Sequence, residues 1–273
     1  MTDTDLYSEV ERCLMIDDPA IKAHNVKSLH ASAALLDRQP HATPVQRIEQ
    51  PGMPEQPRLI DPQRMARRGV GTLAGRVSLL HALAHIEFNA INLALDAVYR
   101  FRDMPADYAL DWLQVASDEA RHFELLADRL QVLGSYYGAL DAHAGLWSMA
   151  LKTDHDVLVR MALVPRVLEA RGLDVAPTMI DKLRHAGDDA SADILEIIYR
   201  DEIDHVRIGN HWFGHLCQQR SLEPADVFAT LLQQHSRGVL RGPYNTVARL
   251  QAGFTEDELA ALVTIEAEFR CDG

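Results

Sequence analysis

The sequence predicts an all-α fold, and three observations support this prediction. From Thr72 onward, apolar residues recur almost without interruption at the spacing of amphipathic helices. The alternating, valine-rich runs that would predict strands are nearly absent. Helix-ending residues such as Pro105, Gly134 and Gly172 divide the pattern into segments of helix length. The predicted molecule is therefore built from helices.

The first 71 residues predict a helical segment followed by a tether. Residues 1–36 carry apolar side chains at helical spacing, and five prolines then lie between Pro40 and Pro57, with a sixth at Pro62. Proline lacks a backbone donor and restricts the residue before it. The proline-rich stretch is therefore predicted to be an extended tether that wraps over the main body of the protein.

Four long helices are predicted within residues 72–219. They span about 72–102, 106–133, 154–171 and 188–219, and Gly172 is predicted to end the third of them. Short helices are expected near 142–151 and 177–186. Two more helices, near 224–237 and 255–269, form a C-terminal segment over residues 220–273. This segment is predicted to pack on the four-helix region.

Composition and charge exclude several classes of protein. The chain of 273 residues is 47% apolar and 25% charged, which is ordinary for a globular protein. No window of about 20 residues is free of charged or strongly polar side chains, and the start lacks an export signal. Three scattered cysteines predict a reducing compartment, so a cytoplasmic protein is expected. The net charge of −13 disfavours nucleic-acid binding.

The same motif, Asp-Glu-x-x-His, occurs on two of the predicted long helices. The second helix carries Glu119 with His122, and the fourth carries Glu202 with His205. Residues three apart lie on one face of a helix, one turn from each other. Each helix therefore presents a carboxylate and an imidazole in the same direction.

Each of the other two long helices carries one glutamate on an apolar stripe. Glu87 lies in "HALAHIEFNAINLAL", and Glu169 lies in "MALVPRVLEARGL". An unpaired carboxylate at such a place would cost several kcal/mol, so each predicts a partner, either a basic side chain or a cation. Glu87 and Glu119 are 32 residues apart, and Glu169 and Glu202 are 33 apart. The chain thus contains the same arrangement twice: a helix with one glutamate, followed by a helix with Glu-x-x-His.

Together, the four helices predict a dinuclear metal centre. Four carboxylates and two imidazoles that project into a four-helix bundle are the ligand set of a carboxylate-bridged pair of iron or manganese ions. Two such ions, about 3.5–4 Å apart, leave room for an oxygen species between them. The predicted ligands are Glu87, Glu119, His122, Glu169, Glu202 and His205.

These six residues resemble the ferritin-like di-iron carboxylate superfamily over residues 72–219. More narrowly, "LLHALAHIEFNAINLALDAVYRF", "DEARHFELL" and "EIIYRDEIDHV" resemble a bacterial ferritin-like family labelled a domain of unknown function, and the similarity extends to the C-terminal "RGPYNTVARLQAGF". The resemblance implies a ferritin-like four-helix bundle with extra terminal helices. It also implies two Fe ions, with Mn or a mixed pair as alternatives.

The resemblance also suggests which residues surround the ligands. In related di-iron oxygenases a carboxylate at this place orients a histidine ligand, and metal-bound histidines generally need such a partner. We therefore expect Asp118 to bond His205 and Asp201 to bond His122. Arg121 is expected to pair with one of these aspartates.

Three further positions leave alternatives open. Tyr199 lies one turn before Glu202, where it is either a core tyrosine or a residue that bonds a ligand or carries a radical. His81 and His85 are expected to pack against the N-terminal segment rather than form a second metal site. Gly209 either opens space beside the metals or lets two helices pack closely.

Three functions are open to a site of this kind. The first is oxidation or hydroxylation of an unidentified small molecule by dioxygen or peroxide, with Glu119 and Glu202 as the candidate bridging ligands. The second is a ferroxidase or iron-handling protein, and the third is a helical module that binds metal without catalysis. The segments on either side of the bundle favour the first, because they can build and cover a substrate pocket. The sequence leaves open the identity of the substrate, whether an electron donor takes part, which metal binds, and whether the protein forms a homodimer.

Overall fold

The computed structural model describes residues 5–37, 45–65, 69–237 and 239–271. In these ranges all regular elements are helices, and β pairing is confined to two isolated bridges, Asp5 with Asp37 and Leu59 with Ala142. The all-α prediction is confirmed. Within the same ranges, no helix combines the length and apolarity that a membrane crossing requires. Residues 38–44 of the predicted tether lie outside the described residues.

Eleven α-helices are present in the described ranges. They are α1 (Leu6–Leu14), α2 (Pro19–Ser32), α3 (Leu73–Arg100), α4 (Ala106–Val132), α5 (Gly145–Lys152), α6 (Val157–Leu163), α7 (Ala170–His185), α8 (Asp189–Gln219), α9 (Pro224–His235), α10 (Thr246–Gln251) and α11 (Glu256–Cys271). Short 3-10 turns cover Ala33–Leu35 and Pro62–Arg64, and a π-helical turn, Val164–Glu169, joins α6 to α7. The predicted long helices at 72–102, 106–133 and 188–219 match α3, α4 and α8 within three residues at each end.

Packing divides the chain into two compact units. Unit 1 comprises Met1–Leu151 and Lys182–Ile194, and unit 2 comprises Lys152–Asp181 and Leu195–Gly273. Helices α7 and α8 each contribute residues to both units. The predicted organisation into segments 1–71, 72–219 and 220–273 stays a prediction.

Helix α3 is the centre of unit 1. Every residue from Glu87 to Tyr99 is buried, so this stretch is covered on all sides. Helix α4 packs along it, α1 packs against α3, and α2 packs against α4. A helix that is apolar around its whole circumference needs such cover. The N-terminal helices are therefore part of the packed body of unit 1.

Residues 45–65 run as an extended segment against these helices. The backbone N–H of Gly52 donates to Leu14 O at 2.9 Å, and a Cβ at position 52 would lie 2.3 Å from the oxygen of Ile16. Trp147 Nε1 donates to Glu49 O at 2.9 Å. Because glycine has no side chain, the backbone at position 52 can lie close to the backbone of Leu14 and Ile16, which any other residue would prevent.

A buried lysine ties α2 to this segment and to α3. Lys22 is fully buried, and its ammonium donates to Leu14 O at 3.1 Å, Gly52 O at 2.7 Å and Asn92 Oδ1 at 2.5 Å. The same nitrogen lies 4.8 Å from the centroid of the Phe88 ring. Three acceptors satisfy the three N–H donors of an ammonium group.

We expect the stability of unit 1 to rise with pH because of Lys22. Burial lowers the pKa of Lys22 from 10.5 to about 7, so between these values the unfolded chain binds more protons than the folded one. The free energy of unfolding should therefore increase by up to about 2–3 kcal/mol between pH 7 and 9. Urea unfolding at several pH values measures this, with Lys22→Met as the reference. If both proteins show the same pH dependence, Lys22 is not its source.

The third predicted long helix does not end at Gly172. Helix α7 continues from Ala170 to His185 and contains both Gly172 and Pro177, so the predicted break at 172 and the separate helix at 177–186 are wrong. Proline inside a helix frees the carbonyl four residues earlier, which here belongs to Leu173. That oxygen accepts a hydrogen bond from Asn245 Nδ2 at 3.1 Å. The side chain of Asn245 thus replaces the backbone hydrogen bond that Pro177 removes.

Candidate metal centre

In unit 1, α3 and α4 bring together three of the predicted ligands. Glu87, Glu119 and His122 are 4%, 1% and 0% exposed. Each offers a ligand atom, and these atoms lie within 4.8 Å of one another. Nδ1 of His122 is 3.3 Å from Glu87 Oε2 and 3.7 Å from Glu119 Oε2. We call these three side chains the unit 1 cluster, and they form a buried Glu/His group that can hold a metal ion.

The electrostatics of the unit 1 cluster favour a bound cation. Burial, and then the negative charge of Glu119, raise the pKa of Glu87 well above its usual value, while a hydrogen bond with His122 lowers it in part. Glu87 Oε2 and both carboxylate oxygens of Glu119 are buried. A metal ion would offset the negative charge of these two carboxylates. The residues present therefore fit a divalent cation with oxygen and nitrogen ligands.

Unit 2 repeats the Glu-x-x-His geometry on α8. Glu202 and His205 are 9% and 1% exposed, and Nδ1 of His205 lies 3.5 Å from Glu202 Oε1. The corresponding pair in unit 1 is separated by 3.7 Å. The i, i+3 spacing therefore brings the two side chains of each motif together, as predicted.

The sixth predicted ligand, Glu169, is the last residue of the π-helical turn and is half-buried. A π turn places one extra residue in the helix and changes the direction of the side chains around it, and such turns recur at functional sites. Pro165 at the start of this turn packs against α8. A Cβ added to Gly209 would lie 2.3 Å from Pro165 Cβ. Of the two roles considered for Gly209, the structure thus supports close helix packing.

The C-terminal segment fixes the helices that carry Glu169 and Glu202. Asn245 Nδ2 donates to Leu173 O on α7 and to Tyr199 Oη on α8, at 3.1 and 3.0 Å. Arg249 donates to both carboxylate oxygens of Asp174 at 2.9 and 2.8 Å. Tyr199 therefore has a structural hydrogen bond, and its predicted catalytic role stays a prediction.

The acidic residues beside the ligands have partners on their own helices. Asp118 accepts from Gln114 Nε2 at 2.9 Å and lies 3.4 Å from Arg121 Nη2. Asp201 lies 3.4 Å from Arg200 Nε. The expected pair between Arg121 and an aspartate is thus present within α4. The hydrogen bonds that His205 and His122 are expected to donate to Asp118 and Asp201, respectively, stay predictions.

His81 and His85 contact the loop after α4, and His85 also lines a cavity together with residues 49–53 of the N-terminal segment. His81 Nε2 accepts from the backbone N–H of Gly138 at 3.0 Å, and His85 Nδ1 lies 2.9 Å from Tyr137 Oη. Burial lowers the pKa of His85 to about 4, so this imidazole is neutral at pH 7. Both histidines, which lie on α3, therefore hold the loop after α4 in place.

Sequence reasoning missed the residues that support the unit 2 ligands. Arg166 in the π turn, Asn245 and Arg249 are polar or charged, yet Arg166 is 1% exposed and Arg249 is 2% exposed. The only sequence signal was the resemblance in "RGPYNTVARLQAGF", which did not identify their partners. Such partners lie far along the chain, and helical periodicity does not specify them.

The fold and the unit 1 cluster define an all-helical protein with a buried Glu/His group able to bind metal. The chain belongs to the family described as "Protein of unknown function (DUF455)", whose model matches residues 15–260. It is 42% identical to an "Uncharacterized protein" of Haemophilus influenzae over 276 residues, which covers 96% of this chain and 95% of that protein. No solved structure matches the chain.

Proposed function

We propose that the protein is a dinuclear iron or manganese protein that uses dioxygen or peroxide to oxidise or hydroxylate a small organic molecule. The single observation that supports this most is the unit 1 cluster, in which two carboxylates and an imidazole are buried within ligand distance of each other. The proposed metal ligands are Glu87, Glu119, His122, Glu169, Glu202 and His205.

The donor set supports iron or manganese over other cations. Four carboxylates and two imidazoles are the ligands that carboxylate-bridged Fe and Mn pairs use in helical bundles. When bound, such a pair supplies redox chemistry with oxygen or peroxide, which the side chains of the chain lack. Mg²⁺ and Ca²⁺ prefer oxygen ligands and would not use the two histidines.

The residues of the chain have three tasks in this proposal. The six ligands bind the metals, and Asp118 and Asp201 orient the two imidazoles. Burial and the negative charge of Glu119 raise the pKa of Glu87 in the cation-free protein, and a bound cation would favour the ionised form of Glu87. The rings of Phe88 and Phe123, 5.5 Å apart between centroids, are both buried and pack the two helices that carry the unit 1 cluster against each other.

Elemental analysis and oxygen uptake test the proposal. Protein purified without added metal, and protein incubated anaerobically with Fe(II) or Mn(II), should bind two ions per chain, as expected for a dinuclear centre. Exposure of the Fe(II) form to air should then consume oxygen and change the absorption spectrum. Glu202→Gln should lose both effects, whereas Glu196→Gln, an exposed position on the same helix, should retain them.

Other outcomes would redirect the conclusion. Uptake of many iron ions per chain with formation of a mineral would indicate iron storage. Metal binding without any reaction with oxygen or peroxide would indicate a non-catalytic module. Failure to bind iron or manganese under all of these conditions would contradict the proposal.

A further inference from the structure

We infer that unit 1 contains a second ligand site, which binds a small, neutral aromatic molecule that carries one hydrogen-bond donor. A cavity of ≈ 250 Å³ lies where residues 49–53 and Leu59 meet α3 and α5. We call this the α3/α5 cavity. Its apolar walls are formed by Pro51, Met53, Leu59, Trp147 and Leu151.

The buried polar group available to a ligand in the α3/α5 cavity is the side-chain carbonyl oxygen of Asn89, whereas the polar residues Gln50 and Ser148 lie at exposed positions of the lining. Asn89 lines the cavity and is only 3% exposed. Its amide nitrogen donates to His85 O at 2.8 Å, but its Oδ1 accepts no hydrogen bond from the described residues. This oxygen is therefore available to accept a hydrogen bond from a ligand N–H or O–H.

Three other polar groups near the α3/α5 cavity are already engaged. His85 lies 2.9 Å from Tyr137 Oη through Nδ1 and 3.1 Å from His143 O through Nε2. Trp147 donates its indole N–H to Glu49 O, which fixes the ring as a wall. The carboxylate of Glu49 pairs with Arg47 at 3.0 Å. An anionic ligand would therefore find no cationic partner among the described lining residues, and the carboxylate of Glu49 already has one, which favours a neutral ligand.

The size of the α3/α5 cavity suits a single ring system. Its volume of ≈ 250 Å³ is below the range of about 300–1,000 Å³ that is common for drug-sized ligands. Apolar walls with few polar groups are typical of sites that orient a small ligand by hydrogen bonds. An aromatic ring also gains from packing against Trp147 and Met53.

The α3/α5 cavity is distinct from the metal centre. His85 and Asn89 are each two residues from Glu87, and positions two apart point to opposite sides of a helix. Glu87 therefore faces α4 and the unit 1 cluster, whereas Asn89 faces the α3/α5 cavity. The inference does not depend on the proposed function, and it holds if no metal binds.

Isothermal titration calorimetry with indole and 1-methylindole tests the inference, because the two rings differ in the N–H donor. Indole should bind one to one, and 1-methylindole should bind about fivefold to tenfold more weakly, as expected for one lost hydrogen bond of about 1 kcal/mol. Ser148→Trp, at an exposed position on the rim, should fill the α3/α5 cavity and weaken indole binding more than tenfold.

The matched control is Lys152→Trp, which adds the same ring to an exposed position of α5 outside the cavity and should leave indole binding unchanged. Thermal melts of both variants establish that each is folded. Absence of saturable indole binding would overturn the inference, as would equal losses in the two variants. Equal affinity for the two indoles would overturn the role of Asn89 as the acceptor.

Discussion

Glu119→Gln is expected to abolish metal binding and, at the same time, to stabilise the metal-free protein. In the metal-free state Glu119 raises the pKa of the buried Glu87 by repulsion, so an amide at position 119 removes an unfavourable interaction. The free energy of unfolding of the metal-free protein is therefore expected to rise. Urea unfolding in the presence of a chelator measures this gain.

When metal is present, Glu119→Gln should lower the free energy of unfolding relative to the wild-type protein instead of raising it. At a Mn(II) concentration of about 100 times the dissociation constant, the wild-type protein should gain about 2.7 kcal/mol, whereas the variant should gain almost nothing. Glu124→Gln is the control, because Glu124 lies on the same helix but pairs with Lys27 at 2.5 Å instead of joining the cluster. A destabilised metal-free Glu119→Gln variant would show that the cluster is a structural ion pair rather than a metal site.

Arg166→Met is expected to lower the free energy of unfolding of unit 2 by about 3–5 kcal/mol, because it leaves Glu258 buried without its counter-charge. Arg166 is 1% exposed, and its guanidinium is 2.5 Å from Glu258. The guanidinium carbon also lies 4.1 Å from the ring centroid of Phe213 and 3.9 Å from that of Phe228. Burial lowers the pKa of Arg166 and Glu258 raises it, so the ion pair and the rings together hold a charged group in the interior.

A double-mutant cycle separates the ion pair from the packing around it. Glu258→Gln keeps the reciprocal hydrogen bonds with Thr255 at the start of α11, since glutamine can replace glutamate there. The double variant Arg166→Met/Glu258→Gln should therefore recover at least half of the loss, with a coupling energy of about 2 kcal/mol. Arg270→Met removes an exposed arginine from a pair with Glu266, which keeps the backbone N–H of Gly242 as a donor, and should therefore cost less than about 1 kcal/mol. Additive losses in the double variant would show that Arg166 stabilises through the aromatic rings alone.

Arg166 also links the stability of unit 2 to the proposed metal centre. It lies in the same π-helical turn as Glu169, and Pro165 of that turn is packed against Gly209 of α8. Loss of the Arg166 anchor should therefore change the position of Glu169 as well as the stability of the unit. Metal content of Arg166→Met, measured under conditions where the variant is folded, reports this second effect.

The positions of most helices could be predicted because their signals are local. Asp5 and Asp18 cap α1 and α2 by accepting from backbone N–H groups three residues later, and such capping depends only on neighbouring residues. The helical breaks at Pro105 and Gly134 follow from the same local rules. Gly172 misled the prediction because glycine in a helix costs only about 1 kcal/mol, which packing in unit 2 outweighs.

The candidate site could be predicted in part for the same reason. An i, i+3 pair on a helix has a fixed geometry, so the proximity of Glu119 to His122 and of Glu202 to His205 follows from sequence spacing. The burial of Glu87 followed from its apolar neighbours. No local rule predicted the π turn before Glu169, because a π turn is a small distortion stabilised by its surroundings.

The sequence by itself determined that this protein is helical, where most of its helices lie, and which carboxylates and imidazoles share a helix face. These properties follow from the helical repeat, which relates residues three or four apart. The tertiary structure decided how α7 tolerates Pro177, because the freed carbonyl of Leu173 finds its donor in Asn245, 72 residues away. It also decided that Gly209 serves close packing and that Lys22 is buried with three acceptors. Contacts of this kind depend on the path of the whole chain, which no short stretch of sequence encodes.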